Sequence, residues 1–178
     1  SGAGASDDAA ISSDKQALLP GGQAGFANYT SYARGLNGLM VDLDYPGGTV
    51  GAGDFELRVG NDSSPSGWAN LAAVPQVSIR GGAGLAGADR VTLVLPDGTA
   101  AGQWLEITVL ATAATGLDQP AVFYFGNAIG ETGNNDTDAE VTPADAVAVR
   151  NPPRTLAVCP AGVGDSYDFN RDGKVTPT

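Results

Sequence analysis

Near the C-terminal end, Asp168-Phe169-Asn170-Arg171-Asp172-Gly173-Lys174-Val175 sets an oxygen-bearing side chain at every second position, then a glycine and an aliphatic residue. That spacing suits a hard divalent cation. Calcium takes about 6–8 oxygen ligands at about 2.3–2.6 Å, and a loop wraps it by turning alternate side chains inward. Counting from Asp168, positions 1, 3 and 5 are Asp168, Asn170 and Asp172, Gly173 makes the sharp turn, and Lys174 offers its backbone carbonyl. Val175 is the apolar residue that packs the loop onto a partner, and Thr176 falls at position 9.

A more degenerate copy lies upstream. Aligning Val141-Thr142-Pro143 with Val175-Thr176-Pro177 gives Asn134, Asp136 and Asp138 at positions 1, 3 and 5, Glu140 at 7, Thr142 at 9 and Asp145 at 12. The two loops start 34 residues apart, room for a loop, a helix and a connector. Thr142 as N-cap, Pro143 at the first helical position and Asp145 in the first turn predict a helix through Arg150, ended by Asn151-Pro152-Pro153. The competing reading is an Asx-rich turn without metal, because Asn and Asp favour turns on their own account.

Loop followed by helix, used twice, resembles the dockerin module, a paired calcium unit. Two departures stand out. Position 6 of the first loop is Ala139, not glycine, and position 12 of the second falls beyond Thr178, the last residue of the sequence. A carboxylate there comes from following residues or from another copy, for instance its Asp7 or Asp8, which would propagate head to tail. Phe123-Tyr-Phe-Gly-Asn127-Ala-Ile-Gly-Glu131-Thr-Gly133-Asn134, Asp14–Pro20, Phe26–Tyr32 and Phe55–Asn61 are also similar to bacterial extracellular proteins in which a sandwich repeat feeds into a dockerin-type pair. The resemblance implies a secreted or cell-surface location, bound Ca²⁺, and attachment or assembly with other subunits or a cohesin-like partner. It transfers no chemistry to the sandwich.

The elements that must carry these loops are strands. Between Ile11 and Phe125 the apolar residues alternate: Leu39, Val41, Leu43 and Tyr45; Phe55, Leu57 and Val59; Val77 and Ile79; Val91, Leu93 and Leu95; Leu105, Ile107 and Val109; then Val122–Phe125. Turns such as Pro46-Gly47-Gly48 and Pro96-Asp97-Gly98 separate them, and Gly25–Tyr32 is a further candidate. Seven or so strands with one apolar face each predict a mainly β protein, an antiparallel β-sandwich of jelly-roll or Ig-like size, with a small C-terminal loop–helix segment. The expected organisation is a tail at 1–10, the sandwich at 11–126 and the calcium segment at 127–178.

Composition narrows the chemistry. The 178 residues carry 26 Gly and 11 Pro but no His, which removes His-based triads and His-ligated zinc. The single cysteine, Cys159, has no internal disulfide partner and no histidine to activate it. A net charge of −11 disfavours nucleic acid and anionic membrane surfaces, and no apolar stretch approaches the roughly 18 residues of a membrane span. The Ser1-Gly2-Ala3-Gly4-Ala5 start reads as that of a mature or excised piece. Asp42, Asp44, Glu56 and Glu106 are the carboxylates that glycoside hydrolysis would need, but strand alternation already accounts for them. The reading is non-catalytic. Its alternative is a carbohydrate-binding module of a polysaccharide-degrading system, with Trp68 and Trp104 as stacking residues, against which stands their ordinary use as core and loop anchors.

Overall fold

Alternation at period two becomes eight strands in the computed structural model, which describes residues 4–44, 48–135, 138–150, 155 and 160–175. In chain order these are β1 (Tyr29–Thr30), β2 (Gly38–Leu43), β3 (Phe55–Gly60), β4 (Ala69–Asn70), β5 (Gln76–Arg80), β6 (Asp89–Val94), β7 (Trp104–Val109) and β8 (Ala121–Asn127). One sheet runs β1-β8-β7-β3-β4 and the other β2-β6-β5.

Register explains the shared core. Leu57 stands opposite Ile107 and Ile107 opposite Phe123, while Val41 and Ile79 flank Val91 in the smaller sheet. Leu43, Val50, Phe55, Leu57, Val91, Leu93, Leu95, Ala100, Leu105, Ile107 and Val109 form one buried cluster from both sheets. Each Val, Leu or Ile so buried contributes about 1.5–3 kcal/mol of transfer free energy, which is what one-faced strands gain by pairing two sheets.

Several expectations need correction. Gly25–Tyr32 yields only the two-residue β1, preceded by a 3-10 turn at Phe26–Asn28, and β1 pairs with β8 in parallel, so the sheets are not purely antiparallel. The short β4 leaves no mark in the sequence, because Ala69–Asn70 has no apolar alternation. Residues read as a tail form a 3-10 helix, Ala5–Ala10, with Asp7 accepting the Gly4 N–H at 2.8 Å. Tyr45, Pro46, Gly47, Asn151–Pro153 and Cys159 lie outside the described residues. No helix among the described residues is long and apolar enough to cross a membrane.

The expected helix is α1, Pro143–Arg150. Thr142 caps it: its hydroxyl accepts the Ala144 N–H at 3.3 Å, and Asp145 reaches back to the Thr142 N–H at 2.8 Å. This reciprocal box satisfies donors that the helix start otherwise leaves open.

Candidate functional site

Two acidic loops meet the sandwich along one short stretch. The Tyr29 hydroxyl donates to the Asp138 backbone carbonyl at 3.3 Å, and the Ala33 N–H donates to the Phe169 carbonyl at 2.7 Å. Between them the buried Ser31 hydroxyl donates to the Ser166 carbonyl at 3.4 Å. Phe26 packs edge-on to Tyr29 and covers Gly133, whose φ of +76° and lack of a side chain let the ring approach. Asn127 fixes the strand end by donating to the carbonyls of Thr30 and Tyr32.

The second loop is drawn in on its own oxygens. Asp168 is 2% exposed, and its carboxylate accepts the N–H groups of Asp172 at 3.2 Å and Gly173 at 2.8 Å. Asn170 accepts the Asp172 N–H at 3.3 Å, and Asp172 accepts the Lys174 N–H at 2.9 Å. The loop turns at Gly173 with φ of +80° and at Arg171 with φ of +57°. A left-handed arginine costs about 1–2 kcal/mol. Arg171 is held there by its own guanidinium, which donates to the carbonyls of Asp165 and Asp168. Val175 is buried, while Asn170, Asp172 and Lys174 are exposed; Thr176 is outside the described residues.

The first loop repeats part of this pattern. Asp138, at position 5, accepts the N–H of Glu140 at 3.1 Å, just as Asp172 accepts that of Lys174. Asn135 also donates to Asp138. Asn134, Asp138 and Glu140 are exposed, Thr142 is half-buried and Asp136 lies outside the described residues.

Asp145, position 12 of the first loop, is tied into hydrogen bonds at the start of α1. It is 1% exposed, and its two oxygens accept from the N–H and hydroxyl of both Thr132 and Thr142, at 2.7–3.1 Å. Burial alone would raise its pKa, but these donors outweigh burial and hold the carboxyl well below the usual range. Beside it stands Glu131, fully buried, whose Oε1 accepts the N–H groups of Thr132 and Gly133 while Oε2 has no hydrogen-bond partner. Burial pushes the Glu131 carboxyl up, the N–H donors oppose this, and the neighbouring Asp145 charge adds to the rise. Glu131 is not marked in the sequence, since a lone acidic residue in a turn carries no periodic signal.

The donor set of the second loop fits calcium: two carboxylates, an amide and a backbone carbonyl are hard oxygen donors on one turned backbone. Among the described residues, no three His, Cys, Asp or Glu side chains converge as a metal cluster. The expected use of Asp7 or Asp8 to complete another copy's loop meets a competitor. Asp8 is paired with Arg80 and Arg90, and Asp7 caps its own 3-10 helix.

The tryptophans share the outward face of the larger sheet. Trp68 is half-buried over Gly60, edge-on to Tyr124 at 5.9 Å, and its Nε1 donates to Asp62 at 3.1 Å. Trp104, also half-buried, stands between Gly60 and Gly126 in register and packs on Gly126. Neither is in the core. Glu56, Arg58, Glu106 and Tyr124 line an open cleft of about 660 Å³ beside Trp68. Arg58 lies 3.6 Å from Glu56 and 4.0 Å from Glu106.

Comparison of the chain with protein-family models, curated proteins and solved structures found no match in any of the three.

Proposed function

We propose that this is a non-catalytic, calcium-binding extracellular protein of bacterial surfaces or matrices, in which dockerin-like loops stabilise or mediate protein–protein contacts. The observation that carries the reading is the second loop, where Asp168, Asn170 and Asp172 each accept N–H groups from residues farther along the turn. A loop already coiled on its carboxylates spends less conformational entropy when a cation arrives. Asp168, Asn170, Asp172 and the Lys174 carbonyl would hold the ion, joined by Thr176. In the first loop Asn134, Asp136, Asp138 and Glu140 would do so, with Thr142 at position 9 and Asp145 yielding some of its present bonds.

Because the Ser31 hydroxyl and the Ala33 N–H donate to the carbonyls of Ser166 and Phe169, and the Tyr29 hydroxyl to that of Asp138, ordering the loops would stiffen the C-terminal segment against the sandwich. The proposed partners are further subunits or a cohesin-like protein, on a sandwich of jelly-roll or Ig-like kind. Metal analysis and sedimentation with and without EDTA test this. Bound calcium, and a loss of thermal stability or assembly on chelation, are expected; native protein free of calcium and indifferent to EDTA would overturn it.

The aromatic face supports a second reading, carbohydrate binding. Trp68, Tyr124 and Trp104 lie on one outward sheet face beside a cleft with charged hydrogen-bonding groups, the combination sugars use for stacking and hydroxyl recognition. Glycan-array binding abolished by Trp68→Ala would favour it over assembly alone.

A further inference from the structure

On the outward face of the smaller sheet, the pairing of β5 with β6 sets Arg80 directly opposite Arg90. Like charges in that position repel. Asp42, opposite Arg90 on β2, accepts from its Nε and Nη2, both at 2.8 Å, and offsets one of the two charges. The other is met from outside the sheet. Asp8, on the 3-10 helix Ala5–Ala10, accepts from Arg80 Nη1 at 3.1 Å and Arg90 Nη1 at 3.0 Å, and also pairs with Arg80 Nη2.

Charge is most of what holds this strap. None of its residues is buried, so apolar contact adds little. A cavity of about 1150 Å³ opens beside it, with Ala10, Ile11, Met40, Ser78, Thr92 and Val94 among its walls. Two buried polar atoms near the contact, Arg80 Nε and Thr92 Oγ1, have no hydrogen-bond partner. The chain is anchored again at Lys15, whose Nζ donates to the Phe26 carbonyl at 3.0 Å and lies 3.5 Å from the centre of its ring, and at Gln16, whose N–H donates to Ala27. Residues 11–14 are therefore the connection on which the strap would swing.

We propose that the Arg80–Arg90 face is a docking surface for the Ala5–Ala10 segment of a second copy of this chain, so that two copies exchange straps. Exchange re-forms the same ion pairs in trans, and a segment identical to the one displaced fits by construction, the usual low-cost route to a dimer. The occupant is a short acidic 3-10 helix carrying Asp7 and Asp8, whereas the rest of a copy carrying a net charge of −11 is repelled by its neighbour. No cation takes part, so this inference is independent of the calcium reading and survives chelation.

Two full-length variants test it. Asp8→Arg sets a cation against the arginine pair; Arg80→Glu weakens the face for an acidic strap. Each alone is expected to sediment as a monomer. Mixed in low salt with EDTA, they regain complementarity in both directions and are expected to give a 1:1 species of twice the single-chain mass, dissociating in 1 M NaCl. A mixture that stays monomeric overturns the proposal. Binding of a synthetic peptide of residues 4–12 to the Asp8→Arg chain, but not of its Asp8→Asn form, verifies an open, folded face. If Asp8→Arg does not fold, Asp8→Asn takes its place, and a folded chain that binds no peptide also overturns the proposal.

Discussion

Asp168 accepts the Gly173 N–H at 2.8 Å while the intervening Arg171 sits in the left-handed region. The carboxylate closes the turn with both of its oxygens, one accepting from the Asp172 N–H and the other from the Gly173 N–H. The corresponding first-loop residue, Asn134, is exposed and brings no charge. The second loop is accordingly the stronger candidate for an ion.

Asp168→Ala removes a charged acceptor of two N–H groups, worth about 2–3 kcal/mol in total even without metal. At about 2–4 °C per kcal/mol for a chain of this size, Tm falls by roughly 5–10 °C. Calcium at about 100 times Kd should add about 2.7 kcal/mol to the parent protein. The variant should gain none of it through this loop. Calorimetry with calcium and with EDTA measures both effects, and an equal calcium shift in parent and variant would rule the second loop out.

Much of this was readable in advance. Leu105, Ile107 and Val109 announce β7, and Leu39 and Val41 announce β2, because a half-buried strand leaves period two in the sequence. Thr142-Pro143-Ala144-Asp145 announces α1 because capping is local chemistry. Contacts set by register were not readable. Asp8 meets Arg80 and Arg90 across 72 and 82 residues, and nothing near Asp8 encodes them. The loops were legible as oxygen spacing, but their docking on Tyr29, Ser31 and Ala33 depends on where the sandwich puts that stretch.

Glu131→Gln should stabilise the metal-free protein at neutral pH. Glu131 Oε2 is buried without a partner beside the Asp145 charge. A glutamine keeps the acceptor for Thr132 and Gly133 and turns the other atom into a donor toward Asp145. Replacing repulsion by a hydrogen bond to a charged group is worth about 1.5–3 kcal/mol. Urea unfolding in EDTA should show a higher midpoint at unchanged slope. A lower midpoint would mean that Glu131 and Asp145 do not repel each other in the folded protein.

Gly60→Ala reports on the outward aromatic face. A methyl group at residue 60 would occupy the space of the Trp68 ring, which must move away from its edge-on contact with Tyr124. Overpacking of this kind costs about 1–3 kcal/mol. Tryptophan emission should shift to the red as the ring is exposed, and any glycan affinity should fall together with that of Trp68→Ala. Unchanged emission would show that the ring does not rest on Gly60 in solution.

Acid should release the strap. The Asp8 carboxyl is held down from 3.8 to about 2, first by its hydrogen bonds to Arg80 and then by those to Arg90. Both arginines stay charged throughout this range; Asp42, also lowered by Arg90, and Asp7 are the other acids near the contact. A depressed carboxyl gives its stabilisation in full above its ordinary pKa and loses it as pH falls through the folded value. Docking should therefore be intact above pH 4 and fade from about pH 4 to about pH 2. The ¹³C shift of the Asp8 carboxyl should titrate near the lower figure, and Arg80→Gln should move it back toward the ordinary one. An Asp8 titration already near 3.8 in the parent protein would mean that the strap is undocked in solution.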